Sequence, residues 1–208
     1  INMLYNVVDR IYIGHIPGEG SLALTGVGVC MPIIMIVTAF AALISSGGAP
    51  RASICMGKQD NKSAEQILGN CFSLQIVVSI VLTVVLLIWN KDLLMAFGAS
   101  KNTLGYATDY MRIYALGTLF VQLTLGMNAF ITAQGFTTTS MVSVLIGAIC
   151  NITLDPVFIF VFNMGVKGAA LATVLSQAIS TMWVVVFLSG KKTQLHLQKK
   201  YMDLKPKI

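Results

Sequence analysis

Residues 141–162 read MVSVLIGAICNITLDPVFIFVF, and Asp155 is the single charged residue in that run. The run is long enough to cross a membrane, because a hydrocarbon core of ~30 Å needs about 20 helical residues. A carboxylate at bilayer depth costs roughly 2.5 kcal/mol or more, so such groups face a cavity or pathway and carry function more often than they merely tie helices together. Gly147, Asn151 and Asp155 follow one another at four-residue steps and share one helix face. The glycine permits close approach of another helix. Pro156 has no N–H to donate, so the carbonyl of Ile152 loses its helical partner. A freed carbonyl beside a carboxylate and an amide is the make-up of an oxygen-rich cation site, where a proline alone would signify only a kink.

The rest of the chain extends that reading. Of 208 residues, 56% are hydrophobic and 11% charged, with a mean hydropathy of +0.79, against about 25% charged in soluble proteins. The composition is that of an integral membrane protein. A net charge of +6 does not indicate nucleic acid, because the basic residues occupy loops and tail and form no patch interleaved with aromatics. Cys30, Cys55, Cys71 and Cys150 lie in or beside apolar segments without a C-x-x-C pair, as small core residues do, and form neither a disulfide framework nor a metal site.

Apolar runs separated by Gly, Pro and charge predict an all-α, polytopic membrane helix bundle with five full transmembrane helices plus the end of a first one. The expected helices are 1–13, 24–46, 64–89, 106–133, 141–162 and 168–188. Gly47, Gly48 and Pro50 are expected to close the second, 51–62 to be polar connection and 90–103 a loop. Residues 1–189 would form one transmembrane lobe, and 190–208, with six lysines, a soluble basic linker. A first helix that opens mid-run suggests a piece of a longer protein. No internal repeat is visible, and the short apolar start does not have the pattern of a signal peptide.

Alternate loops place Arg51, Lys58, Lys62 and the tail lysines Lys191, Lys192, Lys199, Lys200, Lys205 and Lys207 on one side. Arg10, Lys91, Lys101 and Lys167 lie on the other, with Arg112 just inside the fourth span. The excess of cations puts the tail in the cytoplasm of a multi-pass protein of the cell's inner or plasma membrane.

Polar residues at membrane depth are the candidate chemistry. On the first helix Asn6, Asp9 and Tyr12 fall on one face, and Tyr5 is a turn from Asp9. Adjacent Asp9 and Arg10 point about 100° apart, so Arg10 reaches for the headgroups while Asp9 either looks inward or is an ordinary helix-end carboxylate. The fourth span carries Thr118, Gln122, Thr124, Asn128, Thr132 and Gln134; the sixth carries Thr173, Gln177 and Thr181 on one face. Most such groups only join helices, at about 0.6 kcal/mol per contact. Tyr5, Asn6, Tyr12, Gln122, Asn128 and Gln177 are the candidate cavity-lining residues among them.

Three runs carry a more specific likeness: Asn6-Val7-Val8-Asp9-Arg10-Ile11-Tyr12-Ile13-Gly14, Asn128-Ala129-Phe130-Ile131-Thr132-Ala133-Gln134-Gly135, and Asn151 to Pro156, with Gly165-Val166-Lys167-Gly168-Ala169-Ala170 following. In this order the chain resembles the multidrug and toxic compound extrusion (MATE) family, in its bacterial multidrug-pump branch, over essentially its whole length. The resemblance implies one six-helix lobe of a twelve-helix transporter that exchanges cytoplasmic drugs for protons or sodium ions. It implies a second lobe of the same polypeptide, absent here, beyond the basic linker. It also implies a coupling-ion site in which Asp9, Asn151 and Asp155 match a first-helix Asp and a fifth-helix Asn and Asp, with Thr173 assigned by spacing as the sixth-helix Thr. Sodium, if it is the ion, would bind at those four residues.

Residues and resemblance converge on a cation-coupled antiporter that exports cationic or amphipathic drugs by alternating access around a midplane site. Two close carboxylates in a low-dielectric cavity cannot both stay ionised cheaply, so proton or Na+ uptake would release a cationic drug. No cofactor is expected beyond the coupling ion, and no enzymatic activity, since no span holds two acidic metal ligands. A channel would call for a filter or charge ring. A lipid or oligosaccharide flippase of related architecture is the alternative, and it would call for cationic residues in the cavity.

Overall fold

The computed structural model describes residues 2–18, 20–190 and 193–201, with side chains of the first helix from Val8 onward. Seven helices follow in order: α1 (Asn2–Gly14), α2 (Gly20–Gly57), α3 (Asn61–Ile88), α4 (Asn90–Ala96), α5 (Leu104–Ala133), α6 (Thr137–Pro156) and α7 (Val166–Ser189). The described residues contain no strand, and α2, α3, α5, α6 with its extension, and α7 are each long and apolar enough to span a membrane. Their outer faces carry exposed Leu43, Ile80, Ile88, Leu116 and Val186. A continuous apolar exterior of that kind is tolerable only where lipid or another protein covers it.

α5 is the most buried of the spans and forms the axis on which α2, α3 and α7 pack, while α6 packs chiefly on α7, and α1 on α6. Two apolar cores result. One gathers Ile13, Val27, Ile33, Leu94, Met111 and Ile159 at the α1 end. The other gathers Leu68, Phe72, Met127, Phe130, Val184 and Leu188 at the opposite end.

Three expectations need correction. The second helix does not close at Ser46: α2 runs on through Gly47, Gly48 and Pro50 to Gly57, with Pro32 and Pro50 both internal. Proline is tolerated in membrane helices because neighbouring helices re-satisfy the backbone, and Gly48 lies against Cys71 and Phe130, with no room for a β-carbon. At 1.5 Å per residue α2 is about 57 Å long, so its last turns, with Arg51, project beyond a ~30 Å hydrocarbon layer. The expected 90–103 loop contains α4, a helix too short for a periodic signal, anchored by fully buried Leu94.

The third correction concerns the lobe's expected end at 189: over 193–201 the basic tail packs back on the bundle. Gln134 Oε1 accepts from Thr193 Oγ1 (2.7 Å), Gln194 N (2.9 Å) and Leu195 N (3.0 Å). Glu65 accepts from His196 N (3.1 Å) and Gln198 Nε2 (3.0 Å). Leu195 is fully buried in the second core, and Tyr201 covers Gly69. Lys191, Lys192, Lys205 and Lys207 lie outside the described residues.

Candidate functional site

The site forms where α1, α6 and α7 meet. α6 brings Asn151 and Asp155 to one face, one turn apart, and the Asn151 amide donates to Asp155 Oδ1 at 3.3 Å. The same amide reaches Thr173 Oγ1 on α7 at 3.5 Å. Thr173 Oγ1 in turn donates toward Asp9 Oδ2 on α1 at 3.4 Å and to the Ala169 carbonyl at 3.0 Å. Asp9, Asn151, Asp155 and Thr173 are all buried. Among the described residues three acceptors in the cluster have no partner: Asp9 Oδ1, Asn151 Oδ1 and Asp155 Oδ2.

The sequence brought these four residues from three helices, and the fold makes them contiguous. Gly147 lies 3.5 Å from Ser180 once given a β-carbon, an ordinary contact that lets α6 sit on α7. Beyond Pro156 the chain stays helical but widens into a single π turn, Val157–Val161, closed by Phe162 N to the Val157 carbonyl (3.0 Å). Such wide turns relieve a proline without ending the helix and occur often at functional sites. Arg10 is exposed, and no basic side chain forms an ion pair with Asp9 or Asp155 among the described residues.

A buried pair of acids with no base beside it needs a proton or a cation, because an uncompensated buried charge is prohibitively costly. The donor set suits a hard monovalent cation or a proton: carboxylate, amide and hydroxyl oxygens. Among the described residues no group of three or more His, Cys, Asp or Glu side chains comes together to hold a metal.

A cavity of about 560 Å³ adjoins this cluster, and Asn151 and Thr173 form part of its wall. Its other lining includes Met31, Met35, Tyr110, Tyr114, Asn128 and Gln177, with no Lys, Arg, Asp or Glu among the described residues. Gln177 Oε1 is buried and unpartnered among the described residues, while Asn128 also joins α5 to α6, donating to the Ser140 carbonyl (3.3 Å) and accepting from Ser143 Oγ (3.1 Å).

The other expected lining residues fall elsewhere. Gln122 is not in the cavity wall; fully buried, it donates to the Val37 carbonyl at 2.7 Å and ties α5 to α2. Tyr12 packs edge-on against Phe160 (centroids 6.3 Å apart) and is also absent from the wall. The side chains of Tyr5 and Asn6 lie outside the described residues. The residue that sequence reasoning missed is Tyr110: it lies within electrostatic reach of Asp9, stacks on Tyr114, and lines the cavity beside Thr173. A tyrosine in an apolar span carries no local signal, and only the chain packing aims it at the acids.

A family model described as MatE matches residues 1–157. The "Multidrug export protein MepA" of Staphylococcus haemolyticus is 28% identical over 201 residues, covering 97% of this chain and 44% of that protein. Its namesake in Staphylococcus aureus is 24% identical over 187 residues, covering 90% and 41%. The chain thus spans about half the length of the curated relatives it matches. Among solved structures, an inward-facing multidrug resistance MATE family transporter of the MOP superfamily superposes with a TM-score of 0.91 at 25% identity, over 99% of this chain and 46% of that one. An outward-facing conformation superposes with a TM-score of 0.89 at 25% identity, over 99% and 45%.

Proposed function

This chain belongs to the MatE family, a family of transporters and not of enzymes, and on that premise we propose that it forms one six-helix lobe of a cation-coupled drug antiporter. The observation that carries the reading is the juxtaposition of the buried acidic pair with the cavity, sharing Asn151 and Thr173. Asp9 and Asp155 hold the coupling ion, a proton or Na+, which is cargo and not a resident cofactor; Asn151 and Thr173 supply neutral oxygens. With the acids ionised, the cavity beside them attracts a cationic amphipath to its Met and Tyr wall. Occupation by the ion cancels that attraction and pulls Thr173 and Asn151, which also contact the drug, into a new arrangement. The drug is released as the ion is taken up.

Further support comes from shape. The chain fits an inward-facing and an outward-facing transporter about equally well, with TM-scores of 0.91 and 0.89. A lobe that keeps its internal form in both states moves as a unit against a second lobe, as alternating access requires. Among the described residues the cavity wall has no Lys or Arg, so an anionic lipid carrier, the substrate of a flippase, finds no counter-charge from them. The basic end, with Arg51, Lys58, Lys62 and the tail, is assigned to the cytoplasmic face of the plasma membrane.

The test is drug efflux by the membrane-embedded protein with sodium and pH varied independently. Asp9→Asn and Asp155→Asn should each abolish ion-driven export while leaving the protein in the membrane. Coupled export that persists in both variants would sink the reading, and the ion whose gradient drives wild-type export identifies the coupling partner.

A further inference from the structure

The contact between the π turn and the first turn of α7 is backbone against backbone. A β-carbon at Gly168 would lie 2.7 Å from the carbonyl carbon and oxygen of Phe158 and 3.0 Å from the nitrogen of Ile159, well inside the 3.5–4.0 Å or so at which carbon atoms pack. The chain reverses between these two elements through Asn163 (φ 52°) and Gly165 (φ 55°). Ile159, Val166, Ala169 and Ala170 fill the space around them as one buried core. The two elements are therefore seated on each other with nothing between, and only a glycine at 168 allows it.

Each arm of this contact leads directly to the acidic cluster. Phe158 follows Asp155 by three residues along the same helical rod, and Gly168 precedes Thr173 by five. Thr173 is further tied to the same stretch by its hydrogen bond to the Ala169 carbonyl, one residue beyond Gly168. The bonds that join the cluster across helices are long: 3.5 Å from Asn151 to Thr173 and 3.4 Å from Thr173 to Asp9. They stand near the limit at which a hydrogen bond survives, so a shift of a few tenths of an ångström in the seating of α7 decides whether they exist.

We propose that Gly168 is a positioning residue for the ion site: its missing side chain sets the distance between Asp155 on α6 and Thr173 on α7, and through it the hold on the coupling ion. The proposal rests on the ion-site reading above. Gly168 touches neither ion nor drug; its effect passes through the π turn and Thr173. Crowding it pushes α7 away from α6, stretches the Asn151–Thr173–Asp9 chain, and leaves the cavity wall beyond Thr173 little changed.

The test determines, in the membrane-embedded protein, the half-saturating coupling-ion concentration and the drug KM separately. Gly168→Ala should raise the former by about three- to tenfold, the worth of one marginal hydrogen bond, with any change in drug KM smaller than that. Gly69→Ala is the comparison, since its added carbon meets the Tyr201 backbone at the opposite end of the bundle and should leave ion dependence unchanged. If Gly168→Ala fails to accumulate, Ile159→Val, which removes one methyl from the core packed around that contact, is read instead and should also move the ion dependence. Unchanged ion dependence in the variant that accumulates overturns the proposal, as does an equal shift in Gly69→Ala. Asp155→Asn measured alongside separates the two failures. Coupled export retained in Asp155→Asn defeats the ion-site reading itself; export lost there, with wild-type ion dependence in Gly168→Ala, defeats only the positioning role.

Discussion

Asn151 on α6 and Thr173 on α7 meet at 3.5 Å and belong at once to the buried acidic cluster and to the wall of the adjoining cavity. On the reading proposed above, ion and drug would not be read by separate surfaces. Each would contact the same amide and hydroxyl, so occupancy of one would change the contacts available to the other, which is what a coupling free energy between two sites requires.

Thr173 is the sharpest point at which to break that link. Thr173→Val keeps the shape but removes the hydroxyl that bridges Asn151 and Asp9. Leaving buried polar groups unpaired costs about 1–3 kcal/mol, which is about five- to 150-fold in the half-saturating ion concentration. Thr173→Ser should stay near wild type. Equal ion dependence in the Val and Ser variants would rule out the bridging hydroxyl.

Tyr110→Phe separates the ring from its hydroxyl. The ring remains stacked on Tyr114, with centroids 6.3 Å apart and planes at 13°, so the cavity wall persists. If the hydroxyl serves the acidic cluster, its loss, worth about 1 kcal/mol, should weaken the coupling ion's hold several-fold. A change confined to drug KM would place Tyr110 in drug recognition alone.

Gly48→Ala tests the passage of α2 past its expected end. The new carbon would collide with Cys71 Sγ and lie 2.8 Å from Phe130 Cζ. Overpacking a membrane core of this kind costs about 1–3 kcal/mol, seen as a lower melting temperature in detergent. Adding Cys71→Ala should restore part of the loss; no restoration would mean that the crowding lies elsewhere.

The docked tail predicts its own latch. Gln134→Leu removes the one oxygen on which Thr193, Gln194 and Leu195 converge, leaving buried donors unmet at about 1–3 kcal/mol. Protease cleavage between residues 190 and 201 should accelerate in the variant, and equal rates would show that Leu195 packing alone holds the segment.

One pH effect has a clear sign outside the membrane. Asp60 caps α3 by accepting from Ser63 N at 3.1 Å, and hydrogen bonds from Ser63 hold its carboxyl below its ordinary value. A depressed folded-state value means the cap's charge stabilises above the unfolded value of about 3.9 and is lost as pH falls through the folded one. The difference in melting temperature between wild type and Asp60→Ala should therefore be constant near neutrality and shrink below about pH 4. A difference that grows on acidification would contradict the sign.

The acidic cluster is largely legible in the amino-acid sequence because rarity carries information: a lone carboxylate in residues 141–162, and an Asp on the opening helix, are costly enough in lipid to demand a partner. Gln122 and Tyr110 are not legible in the same way. Both sit on α5, which is enclosed on nearly every side. Around such a helix the face a residue occupies does not say whether it meets a cavity or a neighbour's carbonyl. Gln122 found Val37, and Tyr110 found the cavity wall that Thr173 shares.

By itself, the sequence determined that this chain is a bundle of membrane-crossing helices with acids at depth, since hydropathy, charge placement and span length depend only on local composition and the thickness of a bilayer. Tertiary structure alone decided that α2 continues through Pro50, that the tail packs against Gln134 and Glu65, and that Gly168 seats α7 on the π turn. Those outcomes rest on contacts between residues far apart in the chain, at distances of a few tenths of an ångström, and no local pattern encodes them.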